Sequence, residues 1–268
     1  MHLPGKPPAA PQGTALPGLR SGFSLWRAMG QWTGLAQVRC PVCGRPTDSV
    51  SALGLCPDCN AALAPRSAGH CPQCGVFFSS EHDTPMLCGS CRADPPPWNR
   101  FLLHGRYQGP LRDLIVNFKF HGGIQTSNLL GRLAASAWQR AFAGFLPYAP
   151  ELLLPELVVP VPLHPRRLRG RGFNQSRILA RPIARICKVP LADSALQRIR
   201  NTPPQSTLKA TERRTNLRHA FTASPLVQGR RILLVDDVCT TGATLRECAR
   251  SLQDAGADRV DVLVVARA

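Results

Sequence analysis

The sequence predicts an α/β fold, an open parallel sheet flanked by helices, with a small metal-binding module ahead of it. Three observations carry this: the stretch RILLVDDVCTTGATL at 231–245, the apolar run RVDVLVV at 259–265, and four C-x-x-C pairs within residues 40–91. Residues 232–235 form a continuous apolar run, the habit of a strand buried on both faces of a parallel sheet. Residues 243–255 place apolar side chains at helical spacing, and Gly256 is a natural stop. The strand at 259–265 then completes a βαβ unit.

Taken in order, residues 1–22 are rich in Pro, Gly and Ala without periodicity and are expected to form a disordered tail. Residues 23–37 space Phe23, Trp26, Met29 and Trp32 by three, which suits one face of a short helix, although Gly30 and Gly34 weaken it. That face is read as packing on the neighbouring module rather than as a membrane-surface anchor. Residues 38–94 hold the pairs Cys40/Cys43, Cys56/Cys59, Cys71/Cys74 and Cys88/Cys91. Two such turns supply the tetrahedral four-thiolate shell that Zn²⁺ accepts in structural sites. Cys-Pro-x-Cys-Gly recurs at 40 and 71, so the segment reads as a duplicated zinc ribbon holding two structural zinc ions. Duplication favours sequential ligation, Cys40, Cys43, Cys56 and Cys59 on one ion and Cys71, Cys74, Cys88 and Cys91 on the other; cross-braced pairing satisfies the same spacing. His70 and His82 are read as bystanders. Disulfides are disfavoured, because no secretion signal opens the chain. Residues 94–98, DPPPW, are expected to form a stiff linker into a main domain covering 99–268.

Within that domain, LVVPVPL at 157–163 reads as a second parallel strand. The loop after it carries Arg166, Arg167, Arg169 and Arg171, whose planar guanidinium groups suit pyrophosphate oxygens. Gly170 and Gly172 would let this loop fold tightly. A helix is expected from about Asn174, kinked by Pro182. After the 232–235 strand, the loop residues Thr240, Thr241, Gly242, Ala243 and Thr244 open the next helix. Backbone N–H groups there point outward and, with the Thr hydroxyls, cradle a phosphate without any lysine. Asp236 and Asp237 stand at the strand's carboxyl end, where open α/β sheets bind ligands, and suit vicinal sugar hydroxyls. Capping the helix would need only one acid. No G-x-x-x-x-G-K-[ST] pattern occurs and this unit has no G-x-G-x-x-G, which argues against ATP and NAD. Cys239 reads as a small buried filler.

Net charge is +17 for 268 residues, and 14 Lys or Arg against two acids fall within 160–219, so the basic character concentrates beside the candidate site. Two filled four-thiolate zinc sites would lower the total to about +13. No run of 18 apolar residues exists, so no membrane span is expected and a cytoplasmic protein is the default.

The Asp-Asp-x-x-Thr-Thr-Gly run resembles the phosphoribosyl-pyrophosphate (PRPP) signature of type I phosphoribosyltransferases. That resemblance implies the type I phosphoribosyltransferase fold, with Asp236 and Asp237 on the ribose hydroxyls and residues 240–244 on the 5-phosphate. Together with the upstream ribbons, VPVPLHPRRLRGRGFNQS at 159–176 is similar to the competence protein F (ComF) family over about residues 25–268. YQGPLRDLIVNFKFHGG at 107–123 matches the family's segment ahead of the core, with Lys119 as its basic residue. Residues 198–221 match the mobile loop that closes over PRPP in related enzymes, where Arg200, Thr202, Gln205, Arg213 and Asn216 fall on the pattern and Lys209 adds a cation; a basic linker is the plainer reading of that loop. The family resemblance implies a role in natural transformation, with PRPP and Mg²⁺ bound in the domain, single-stranded DNA as a partner and competence machinery proteins as further partners. Active pentosyl transfer from PRPP to a nitrogen acceptor is the alternative, and binding is better supported than turnover. Few aromatics accompany the basic belt, Phe173 being the main one.

Overall fold

A computed structural model describes residues 38–66, 68–80, 82–121, 123–142, 154–201 and 217–268. The expectations for the 1–22 tail, the 23–37 helix and the loop residues Thr202, Gln205, Lys209, Arg213 and Asn216 fall outside the described residues.

The cysteine-rich module repeats itself in three dimensions. In the first half Gly44 N–H donates to the Cys40 carbonyl (2.8 Å) and Cys40 N–H to that of Arg45 (3.0 Å). In the second half Gly75 N–H donates to the Cys71 carbonyl (2.8 Å) and Cys71 N–H to that of Val76 (2.8 Å). Each turn needs a glycine in the left-handed region, Gly44 at φ 72° and Gly75 at φ 71°. Each half closes on a short helix that starts directly after a cysteine, α1 (Pro57–Ala62) after Cys56 and α2 (Gly89–Ala93) after Cys88.

The main domain then lays down β1 (Arg100–Arg106), α3 (Gly109–His121), α4 (Ile124–Phe142), β2 (Leu157–Pro160), α5 (Pro165–Arg171), α6 (Gln175–Cys187), β3 (Leu196–Arg198), β4 (Phe221–Ala223), β5 (Arg231–Cys239), α7 (Ala243–Asp254) and β6 (Arg259–Arg267). Four strands form one parallel sheet in the order β1-β6-β5-β2, and β3 pairs with β4 as a separate antiparallel ribbon. Alternate side chains feed two cores. Val158, Leu233, Val235, Leu263 and Val265 meet α3, α4 and α6 on one face; Val159, Ile232, Leu234, Val260, Val262 and Val264 meet α7 and the β3-β4 ribbon on the other. Both faces are covered, which is why these strands read as unbroken apolar runs.

Several local expectations are revised. β5 does not stop at Val235 but runs to Cys239, so both aspartates lie within the strand and pair alongside β6. β2 ends at Pro160, earlier than its apolar sequence suggests. The arginine-rich segment is a helix, α5, not a tight loop: the His164 ring nitrogen Nδ1 accepts from Arg166 N–H (3.2 Å) as N-cap, Pro165 opens it, and Gly172 ends it at φ 80°. α6 runs uninterrupted through Pro182. The DPPPW segment is no spacer either, since Trp98 is buried and its indole Nε1–H donates to the Gln73 carbonyl (2.6 Å). Cys239 is buried, as expected of a filler, and burial pushes its thiol up to about 12.

Candidate functional site

A cleft of about 310 Å³ opens at the carboxyl ends of β2 and β5. β5 supplies Asp236 and Asp237, α3 supplies Lys119, α5 supplies Arg167 and Arg171, the start of α6 supplies Gln175 and Ser176, β3 supplies Arg198, and α7 supplies Thr244. Asp237 is buried and its Oδ1 lies 3.1 Å from Lys119 Nζ. Asp236 Oδ1 accepts from the Ser176 hydroxyl (2.8 Å) and from Asp237 N–H (2.9 Å). Burial, reinforced by the adjacent Asp237 charge, pushes the Asp236 carboxyl up to about 7, while those two hydrogen bonds and Lys119 pull the other way. Two acids side by side in a half-enclosed cleft gain from a ligand that brings hydroxyl donors or positive charge.

The helical spacing of α5 sorts its arginines. Arg167 and Arg171, four apart, share the face that lines the cleft, while Arg166 and Arg169 are exposed outside it. Burial, together with the neighbouring Arg171, lowers the pKa of Arg167 from its ordinary value. Arg198 adds a further buried guanidinium, 5.4 Å over the Phe221 ring, also lowered by burial and by Arg167. Arg200 does not join them: it is exposed and donates to the Arg218 carbonyl (2.5 Å).

Beyond the aspartates, Thr240 and Thr241 are exposed and Gly242 turns the chain at φ 77° into α7. Gly242 as N-cap brings no capping side chain, so the N–H groups of the first turn of α7 form a ready anion site. Ala243 N–H reaches Thr241 Oγ1 at 3.4 Å, and Thr244 lines the cleft. Sequence reasoning missed Gln175, Ser176 and Arg198. The first two sit in the FNQS motif, and their place as the opening residues of a helix capped by Asn174 was the signal that could have found them. Arg198 reaches the cleft only through the β3-β4 ribbon, which leaves no local signal.

The cysteines gather as two sequential sets, Cys40, Cys43, Cys56 and Cys59, and Cys71, Cys74, Cys88 and Cys91, each with its sulfur atoms within 4.8 Å of one another. Neither His70 nor His82 belongs to a set. Four sulfurs at about 2.3 Å from a tetrahedral ion stand about 3.8 Å apart. The Cys43 and Cys56 sulfurs are 3.8 Å apart and those of Cys74 and Cys88 3.6 Å, so both sets fit structural zinc. Burial opposes ionisation of Cys40, yet backbone N–H groups of Cys56, Cys43 and Val42 bring its thiol down to about 6; the equivalent Cys71, aided by N–H groups of Cys88, Gln73 and Cys74, comes down to about 7. Thiolate-stabilising N–H groups are what a metal-ligating turn requires.

A parallel sheet with paired acids at a strand end, a Thr/Gly turn into the next helix and a duplicated four-cysteine module defines a phosphoribosyltransferase-type domain joined to a double zinc ribbon. Residues 174–268 match the phosphoribosyl transferase domain family and residues 35–98 the double zinc ribbon domain family. The chain is 36% identical over 228 residues to the DNA utilization protein YhgH of Escherichia coli (strain K12), covering 85% of this chain and 96% of that protein. It is 33% identical over 235 residues to competence protein F of Haemophilus influenzae, covering 86% and 97%. Competence protein ComFC of Bacillus subtilis is 29% identical over 217 residues, 81% of this chain and 72% of that protein. The chain belongs to the competence protein F family.

Proposed function

We propose that the protein binds PRPP with Mg²⁺ in the β2/β5 cleft and single-stranded DNA on an adjoining basic face, and that it serves the handling of incoming DNA inside the cell. The observation that carries the first half is the juxtaposition of Asp236 and Asp237 with Lys119, Arg167 and Arg171 around one cleft. In this reading the acids would hold the ribose hydroxyls, the 240–244 turn would take the 5-phosphate and the α5 guanidiniums the pyrophosphate, and Mg²⁺ would sit beside the oxygen donors of Asp236 and Asp237 and offset pyrophosphate charge. Arg200, Lys209 and Arg213 belong to the loop that would close over the ligand.

DNA binding is supported by the outward faces of α5 and α6. Arg166, Arg169, Arg181 and Arg185 are exposed there, and no acidic residue occurs between Glu156 and Asp193. Arg181 and Arg185 stand one turn apart on α6, about 6 Å along the axis. Arg177, next on the same row, is tied to Asp193 at 2.6 Å. α5 thus separates a cleft-facing arginine pair from an outward one. The names of the relatives, DNA utilization protein and competence protein, agree with a role in DNA handling.

The two ligands are separated by charge reversal. Arg181→Glu/Arg185→Glu is expected to lower single-stranded DNA affinity at least tenfold, to reduce the log–log salt slope by about 0.7 for each phosphate no longer neutralised, and to leave Mg²⁺–PRPP affinity within twofold. Arg167→Glu/Arg171→Glu is expected to abolish Mg²⁺–PRPP binding. A DNA affinity that does not change with salt contradicts the phosphate-tracking face. Turnover is read separately, by pyrophosphate release with nucleobase acceptors; release that disappears in Asp236→Asn/Asp237→Asn would make the protein a transferase.

A further inference from the structure

The two cysteine clusters are docked on different parts of the main domain. The first docks on α3 through the helix Pro57–Ala62, its Cys40, Cys56, Cys59, Leu55 and Leu63 sharing one buried core with Leu111 and Leu114, and Arg132 of α4 donates to the Ala52 carbonyl. The second reaches the 240–244 turn. Its C-P-Q-C segment presents two backbone carbonyls, those of Gln73 and Cys74; both are taken by side chains, one of which stands beside this turn and the other of which bonds to it. Trp98 Nε1–H donates to the Gln73 carbonyl at 2.6 Å, and its ring edge lies 3.8 Å from where a Cβ on Gly242 would stand. Arg267, at the end of β6 and buried, donates through Nε to the Cys74 carbonyl at 3.0 Å. Its Nη1 donates to the Cys239 carbonyl at 3.2 Å and stands against the Thr240 and Ala268 backbone oxygens.

Two further contacts remove slack. Arg246, in the first turn of α7, donates to the Asp94 carbonyl at 2.9 Å, pairs with the Asp94 carboxylate at 3.4 Å and lies 5.9 Å over the Trp98 ring. Gly75, directly after Cys74, sits so close to β1 that a Cβ there would lie 2.5 Å from Phe101 and 2.8 Å from Leu103. The metal-ligating turn, β1, the Trp98 indole, the Arg267 guanidinium and the start of α7 therefore form one packed unit. Thiolates held by a metal fix the Gln73 and Cys74 carbonyls in space; loss of the metal frees them, and the two side chains lose their anchors.

We propose that filling of the second four-cysteine site sets the conformation of the 240–244 turn, so that Trp98 and Arg267 are positioning residues for the phosphate that this turn takes. The first site has no such part. This rests on the assignment of the turn to the 5-phosphate, and the test keeps the two apart. Ribose 5-phosphate is the probe, because it lacks the pyrophosphate that the α5 arginines would hold. Cys43→Ser and Cys74→Ser, equivalent positions of the two clusters, are compared in the full zinc-loaded chain by zinc content, ribose 5-phosphate and Mg²⁺–PRPP affinity, melting temperature, and amide hydrogen exchange over 239–245.

Each variant is expected to lose one equivalent of zinc. Cys74→Ser weakens ribose 5-phosphate at least tenfold and speeds exchange over 239–245, whereas Cys43→Ser stays within twofold on both readouts. Trp98→Phe, which loses the indole donor and the ring edge beside Gly242, and Arg267→Lys, which keeps one cationic donor, are each expected to weaken ribose 5-phosphate at a temperature well below their melting transition, where both variants remain folded. They carry the test if Cys74→Ser does not fold. Equal effects of the two cysteine variants, or ribose 5-phosphate affinity unchanged in Trp98→Phe and Arg267→Lys, overturn the inference while leaving the cleft assignment standing. A parent protein that binds neither ligand overturns both.

Discussion

Asp236 occupies a position that costs stability when the cleft is empty. Its folded-state pKa of about 7 lies above the ordinary 3.8, so between those values the unfolded chain is ionised there and the folded chain resists ionisation. Stability attributable to this group is therefore highest below pH 4, falls as pH rises toward 7 and is lowest above it. Asp236→Asn keeps an oxygen for the Ser176 hydroxyl and Asp237 N–H and removes the charge. At pH 8 it is expected to stabilise the unliganded protein by about 1 kcal/mol or more, roughly 2–4 °C in melting temperature for a chain of this size, with the gain gone at pH 4. The same change should weaken Mg²⁺–PRPP. A variant that melts lower than the parent at pH 8 would show that the Asp236 carboxylate stabilises the fold instead of straining it.

At the scale of elements, legibility in the sequence tracks burial. β5, α7 and β6 were legible because two-sided burial writes an unbroken apolar run and α7 has one apolar stripe between Gly242 and Gly256. The cysteine pairs were legible because ligand spacing is local. α5 was not read as a helix because it buries no residue, so it has no apolar period to detect; only its His-Pro start and Gly172 end marked it. Trp98 read as part of a linker for the opposite reason: its partners Gln73 and Arg246 lie far away in sequence. The same holds for Gly131 of α4, where a Cβ would stand 2.9 Å from Pro182 Cγ of α6. This close approach seats α6 and with it the Ser176 hydroxyl against Asp236. Gly131→Val is expected to cost about 2 kcal/mol or more by overpacking, which thermal unfolding would read as a drop of about 4–8 °C, with Mg²⁺–PRPP affinity falling in parallel. Unchanged stability would mean that the helices separate freely at this crossing.

For the whole molecule, the +17 charge of the sequence resolves into distinct uses once side chains are placed. Arg267, Arg246 and Arg132 join the cysteine module to the main domain; Lys119, Arg167, Arg171 and Arg198 face the cleft; Arg166, Arg169, Arg181 and Arg185 face outward. Composition suggests a nucleic-acid partner, yet part of that charge serves internal contacts and part lines the cleft beside two acids. No helix among the described residues is long and apolar enough to cross a membrane. The most direct test of the central claim is calorimetric titration of the zinc-loaded full chain with PRPP at pH 8, with and without Mg²⁺, beside Asp236→Asn/Asp237→Asn. Saturable one-to-one binding that requires Mg²⁺ and is lost in the double variant is the predicted result; absence of binding in the parent, or binding indifferent to both aspartates, would contradict it.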